Sequence, residues 1–284
     1  MAAVLGTNVA SLWASKNLQT AQSNMANSVE RLSSGLRINR ARDDAAGLGI
    51  SNALTQQINS ADMGIRNLND GISIVQTAEG ALAQASEMAQ RILALSIQGT
   101  GGTLSDTQKA SITTEMNSLL TGINNIQTRT KFGSNTSSLL SGTAVVIYSS
   151  NVSTDSVTVS TTGLAAISTG AGAGATVQAS VTAAISGTYT AALFQSIASA
   201  ASAYITSLDT QRGNLGATQN QIEYSVNNLT ELSANLTSAR SRIIDTDYAT
   251  ETSKLTKGQI LQQASTAMLA QANQMPNVIL SLLK

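Results

Sequence analysis

The chain has 284 residues, sixteen Lys and Arg against sixteen Asp and Glu, and neither His nor Cys. Imidazole bases, thiol nucleophiles, zinc fingers, iron-sulfur clusters and disulfide scaffolds are therefore excluded, and the balanced charge offers no field to hold nucleic acid or an acidic membrane. Charged residues make up only 11% of the chain, against roughly 25% in ordinary globular proteins, and a net charge near zero favours self-association.

In chain order, the first residues carry amphipathic stripes, Leu5, Val9 and Leu12 and then Leu18, Ala21, Met25 and Leu32, beside very few charges. The first basic residue is Lys16, so the start lacks the charged leader of a secretory signal peptide, and export would need another route. From Leu54 the positions Ile58, Ala61, Ile65, Leu68, Ile72, Val75, Leu82 and Ala89 hold steps of four and three, with Glu79 and Ser86 as polar members. A sustained 3.5-residue period predicts a long helix wound on partners. Gly99 to Gly102 interrupt it, and Ser105-Asp106-Thr107-Gln108 reads as a capping box that opens a second arm through Ile112, Met116, Leu119, Ile123 and Ile126, ending near Phe132-Gly133.

Between Lys131 and Asp209 the only charged residue is Asp155, and Ser, Thr, Gly and Ala dominate. Alternating β-branched residues predict a small antiparallel hairpin from Val145–Tyr148 and Val157–Val159, with Val177, Ala179 and Val181 as a weaker third strand. The 3.5 period returns through Ile197, Ala201, Tyr204, Leu208, Leu215, Ile222, Leu229, Leu232, Leu236, Ala239 and Ile243. At the C-terminal end Leu261, Ala264, Met268, Met275, Ile279 and Leu282 repeat at helical spacing. The predicted fold is mainly α: an elongated coiled-coil bundle rod with a small β-hairpin region, and terminal helices paired in a two-stranded coil with an outer face of Ala, Ser, Asn and Gln. Such a coil cannot bury stripes this broad by itself, so the ends need other copies. The expected division is 1–45 with 250–284, 46–133 with 192–249, and 134–191 as a hairpin and loop region. Gly258–Leu283 holds too many amides to span a membrane.

The run Val29-Glu30-Arg31-Leu32-Ser33-Ser34-Gly35-Leu36-Arg37-Ile38-Asn39, followed by Ala41-Arg42-Asp43-Asp44-Ala45-Ala46-Gly47-Leu48, resembles bacterial flagellin. So do Gln259-Ile260-Leu261-Gln262-Gln263-Ala264 and the closing Ser281-Leu282-Leu283-Lys284. The resemblance covers roughly residues 1–133 and 195–284, in a short form without large outer domains. It implies a structural subunit that self-assembles into the extracellular flagellar filament for swimming, with Leu5, Val9, Leu12, Leu18, Met25, Leu32, Leu261, Met268, Met275, Ile279 and Leu282 at subunit interfaces. Implied partners are copies of itself, the flagellar type III export apparatus and an export chaperone, and the filament cap and hook-associated proteins. No cofactor, metal, nucleic acid or membrane is implied.

The alternative within the same organelle is a hook-filament junction protein; a more remote one is a secreted coiled-coil enzyme or adhesin. Residues 33–48 favour flagellin, and a single acid in the middle cannot furnish a general acid/base pair. Arg37, Arg40 and Arg42 beside Asp43 and Asp44 read as ion-pair partners of the returning segment, where Arg240 and Arg242 precede Asp245, Asp247 and Glu251, or of a neighbouring subunit. Finally, Arg91 and Leu95 match positions that flagellins recognised by Toll-like receptor 5 use for contact, with Glu115 as a third candidate. Leu93 and Ala94 stand where strongly recognised members carry charge, so the resemblance implies weaker recognition.

Overall fold

Long runs of Ala, Leu, Ser and Gln with few breakers commit most of the sequence to helix. In a computed structural model, residues 8–132, 139–140, 144–150, 154–159, 173–187 and 189–282 are described, 173 and 275–282 by backbone alone. The elements are α1 (Val9–Ser34), α2 (Ala45–Gly99), α3 (Asp106–Arg129), β1 (Val145–Tyr148), β2 (Ser156–Val159), α4 (Ala173–Ile185), α5 (Ala191–Ile244) and α6 (Tyr248–Leu282). By contacts the chain divides into a unit of residues 1–58 with 234–284 and a unit of residues 59–233, so α2 and α5 each contribute to both.

The core of unit 59–233 follows the 3.5-residue period. Leu68, Val75, Leu82, Ala89 and Ile92 of α2 are buried with Ile112, Met116 and Ile123 of α3 and with Phe194, Ile197, Tyr204, Leu208, Leu215 and Ile222 of α5. On α3 the buried line runs through Leu120 and Gln127 where Leu119 and Ile126 were expected, and on α5 Leu232 is exposed. The capping box forms as expected: the Ser105 hydroxyl accepts from the Gln108 N–H, and the Gln108 side chain accepts from the Ser105 N–H at 2.9 Å.

The hairpin pairs Val145 with Val159 and Tyr148 with Ser156. It turns Ile147, Val157 and Val159 inward and leaves Val146 and Tyr148 outside. It lies against α2 at Gly64 and Gly71, seven residues apart and so on one helix face. A β-carbon at Gly64 would collide with the Ser149 carbonyl, and one at Gly71 with the Ile147 side chain. The expected third strand is instead α4. Val177, Val181 and Ala184 are buried at steps of four and three while Ala179 is exposed, which is a helix face and not strand alternation. The Ala-rich run supplies the propensity, and α4 packs on α3.

Candidate assembly surface of the chain ends

Within unit 1–58 with 234–284, α1 and α6 run antiparallel against each other. The α1 N-terminus is capped by Asn8, whose side-chain oxygen accepts from the Ser11 N–H at 3.1 Å. Its C-terminus is Gly35, in the left-handed region at φ 73°. At the start of α6, Asp247 accepts from the N–H groups of Ala249 and Thr250 at 2.9 and 3.2 Å and from the Thr250 hydroxyl at 2.8 Å. Asn8 Nδ2 donates to the Ala272 carbonyl at 2.8 Å, which fixes the far end of the pair.

The seam is a ladder of alternating three and four steps. Ser11, Ala14, Leu18, Ala21, Met25, Ser28 and Leu32 of α1 are buried or half-buried, as are Glu251, Leu255, Gly258, Gln262, Ser265, Leu269 and Ala272 of α6. Every second rung is small: Ala14, Ala21 and Ser28 on one side, Gly258, Ser265 and Ala272 on the other. A β-carbon on Gly258 would lie 3.4 Å from that of Met25, so small residues are what let the backbones approach.

This arrangement corrects the expectation for the stripes. Leu18, Met25 and Leu32 belong to the seam inside the chain, but Val9, Leu12, Leu261 and Met268 face away from it, together with Trp13 and Ile260. Leu12 is 69% and Met268 64% exposed. These exposed apolar side chains stand among the Ala, Ser, Asn and Gln anticipated for the outer face, such as Ala10, Asn17, Ala264 and Gln271, because the seam takes only one narrow face of each helix. Leu5 lies outside the described residues, as do the side chains of Met275, Ile279 and Leu282. A shallow groove on the outer face is lined by Ala10, Trp13, Asn17, Ala264, Met268 and Gln271, and the Lys16 ammonium sits 5.3 Å from the Trp13 ring centroid.

One charge is buried in the seam. The Glu251 side chain is 5% exposed; it accepts from the Ser28 hydroxyl at 2.7 Å and from Lys254 Nζ at 3.0 Å, with Arg31 at 4.0 Å. Desolvation works to raise the Glu251 carboxyl, and the Ser28 hydroxyl and the Lys254 charge outweigh it, leaving it below the usual range. Ser28 follows Ala14 and Ala21 at intervals of seven, which is the one sequence signal that marks it as a seam position.

The segments that join these helices to α2 and α5 meet in a short clasp. The Arg37 N–H donates to the Ile244 carbonyl at 2.6 Å and the Thr246 N–H to the Gly35 carbonyl at 2.9 Å, bridging Leu36 and Asp245. Arg37 Nε donates to the Ile243 carbonyl at 3.2 Å. Asp44 caps α2 through the Gly47 N–H at 2.8 Å, and a β-carbon at Gly47 would meet Ile38 Cδ1 at 2.7 Å. That contact, with a still closer one to the Asp44 carboxylate at 2.5 Å, is why the Asp-Asp-Ala-Ala-Gly run ends in glycine.

Within the chain, the arginines and aspartates expected to pair across the two segments do not do so. Arg40 pairs with Glu30 at 2.7 Å, and Arg42 approaches only its neighbour Asp43 at 3.7 Å. Arg240 donates to the Thr55 hydroxyl at 3.5 Å, and Arg242 to the Ser238 hydroxyl at 3.3 Å. The aspartates cap backbone instead. Asp43 accepts from the N–H groups of Arg40 and Asn39, at 3.0 and 3.2 Å, and its carboxyl is held low first by the Arg40 N–H. The Asp247 carboxyl is lowered chiefly by the Thr250 hydroxyl and N–H.

The sign of these shifts yields a prediction. A carboxyl depressed in the folded state contributes stability that is present above its unfolded pKa and is lost as pH falls through the folded value. Free carboxylates titrate near about 4, so light scattering of assembled protein should hold at neutral pH and fall below about pH 4. Dissociation in mild alkali with acid resistance would contradict it.

In unit 59–233, Arg91 Nε and Nη2 both donate to Glu115 Oε1, at 2.9 and 2.8 Å, joining α2 to α3 on the exposed surface. Leu95 is different: it is 2% exposed and part of the core. Positions 91 and 95 are about 40° apart around a helix, enough here for one to be outside and the other inside. Arg91 and Glu115 are open to a partner, and Leu95 is not.

Among the described residues no group of acids could hold a metal ion, and no helix is long and apolar enough to cross a membrane. The model of the bacterial flagellin N-terminal helical region matches residues 5–145, and that of the bacterial flagellin C-terminal helical region matches residues 198–283. The chain is 38% identical over 311 aligned residues to the flagellin of Bacillus subtilis, covering 98% of each chain. It is 37% identical over 291 to the flagellin of Halalkalibacterium halodurans, covering 99% of this chain and 100% of that one. To flagellin B of Vibrio anguillarum it is 34% identical over 377 aligned residues, covering 100% of both.

Proposed function

The chain belongs to the bacterial flagellin family, and from that premise we propose that its two ends supply the surface through which copies join. As a flagellin it is a structural protein and not an enzyme, a subunit that self-assembles into the extracellular flagellar filament that drives motility. The observation that carries the assignment of the surface is the outward apolar stripe of Val9, Leu12, Trp13, Ile260, Leu261 and Met268. Large apolar side chains facing water mark an interaction site, Trp13 and Met268 among them share one groove, and near-zero net charge raises no barrier between like copies.

In this reading residues 1–45 with 250–284 form the inner core of the filament, 46–133 with 192–249 the layer around it, and 134–191 the outer flank. Leu18, Met25 and Leu32 pack within the seam beneath the stripe. The arginines and aspartates of the clasp, Arg37 to Asp44 and Arg240 to Asp247, hold the stripe's orientation and offer charges to neighbouring copies. Export through the flagellar type III apparatus with a chaperone, capping of the filament and seating on hook-associated proteins complete the partners. Recognition by Toll-like receptor 5 would use Arg91 and Glu115.

Leu12→Asp or Leu261→Asp tests the surface. Each should reduce filament yield, by sedimentation and electron microscopy, by roughly tenfold or more, since a charge in an apolar interface is left without a partner. Far-UV circular dichroism of the subunit should be unchanged, because neither side chain packs in the seam. Normal filaments from both variants would place the interface elsewhere.

A further inference from the structure

We propose that Met268 is an oxidation site that controls entry into the filament: a hydroperoxide converts its thioether to the sulfoxide in the free subunit, and the oxidised subunit no longer assembles. The inference rests on the outward stripe being the face that meets other copies.

The methionines differ in what surrounds them. Met116 is fully buried in the core of unit 59–233, Met88 packs against that core, and Met25 is half-buried in the α1–α6 seam. Met63 is exposed in unit 59–233, with the Arg66 guanidinium 4.0 Å from its sulfur. Met268 combines 64% exposure with a place on the apolar stripe, where it lines the groove shared with Trp13. Exposure governs access of the oxidant, and the reaction needs no neighbouring catalyst. The sulfur lone pair attacks one oxygen of the hydroperoxide and the O–O bond breaks. An S–O bond forms, the sulfur loses two electrons, and the other oxygen leaves as water or an alcohol after proton transfer.

The product has an S–O acceptor where a flexible apolar side chain stood. Exposed, it is solvated at no cost; enclosed against another copy, it exchanges water for a groove lined largely by Ala10, Trp13, Ala14, Ala264 and Ala272, with Asn17, Ser265 and Gln271 as its few polar side chains, and the desolvated S–O group is disfavoured there. A polar group of that kind in an interface acts against assembly at every copy. The same enclosure shields the sulfur once the subunit is in place, so sensitivity is confined to the chain before assembly.

Full-length subunits and preformed filaments are exposed to hydrogen peroxide, and the added oxygen is located at each methionine by peptide mass spectrometry. The treated subunits are then assayed for assembly. Met268 should oxidise roughly tenfold or more slowly in filaments than in subunits, and treated subunits should show a critical concentration raised roughly tenfold or more. Met268→Leu should assemble normally after the same treatment, and Met268→Gln, a polar stand-in for the sulfoxide, should assemble poorly with no oxidant present while keeping native helicity. Equal oxidation of Met268 in filaments and subunits would overturn the reading of the stripe as well as this inference. Protection in filaments with normal assembly of oxidised subunits would overturn only the inference. So would loss of assembly in peroxide-treated Met268→Leu, which would move the sensitive group elsewhere.

Discussion

Deleting residues 1–40 and 255–284 should give a soluble, helical, cooperatively folding protein that forms no filament at any concentration or salt. The two halves of that result have separate causes. Leu68, Leu82, Ile92, Met116, Ile123, Phe194, Leu208 and Leu215 are all fully buried, and all lie between residues 59 and 233, so their packing does not require α1 or α6. A core of that content holds long helices by tertiary burial, where propensity alone is insufficient. What the deletion removes is the whole α1–α6 seam and with it the outward stripe. Circular dichroism should show a sharp thermal transition, and negative-stain electron microscopy after seeding with filament fragments should show no growth. Filaments built by the trimmed chain would remove the ends from the assembly surface. Loss of its cooperative transition would show that the two contact units fold as one.

The parts of the fold legible in the sequence are those with a clean period. The four-three steps of α2, of the first half of α3 and of α5 up to Ile222, the Ser105–Gln108 capping box and the alternating Val145–Tyr148 and Val157–Val159 segments form as their spacing predicts. The α4 helix was concealed by composition. Val177 and Val181 are β-branched and follow a Gly-Ala repeat, so they read as strand, although their spacing to Ala184 is helical; packing on α3 decides between the two.

The terminal coil was misread for a different reason. Hydrophobic patterning finds large apolar side chains and assigns them to the nearest helix partner. Here every second partner-facing rung is Ala, Ser or Gly, whose contribution is close approach and not apolar bulk, so the seam takes Leu18, Met25 and Leu32 but leaves Val9, Leu12, Leu261 and Met268 outside it. The same blindness hid Ser28 and Glu251. A serine and a glutamate on two polar-looking helix faces carry no apolar signal, and only their seven-residue relation to Ala21 and Gly258 places them in the seam. Charge pairing failed at the clasp because Asp43, Asp44 and Asp247 find backbone N–H groups within four residues, and a local cap needs less chain ordering than a pair across two loops.

Leu95→Ala and Arg91→Ala should separate sharply, although the two positions are four apart on α2. Leu95 is 2% exposed within the core of unit 59–233, so truncation leaves a cavity and should cost about 2–5 kcal/mol. For a domain of this size that corresponds to a melting temperature lower by roughly 5–20 °C. Leu95→Met, which conserves volume, should cost less than about 1.5 kcal/mol. Arg91 loses only an exposed pair with Glu115, a contact of a kind that contributes about 0–1 kcal/mol, so Arg91→Ala should melt within a few degrees of the parent. The comparison also sorts any effect on Toll-like receptor 5. A weakened response in Arg91→Ala at unchanged melting temperature is what direct contact requires. A weakened response in Leu95→Ala that recovers in Leu95→Met, and scales with the loss of melting temperature, would come from the unfolded population. A response lost in Leu95→Ala at parental stability would contradict its burial and return the leucine to the surface.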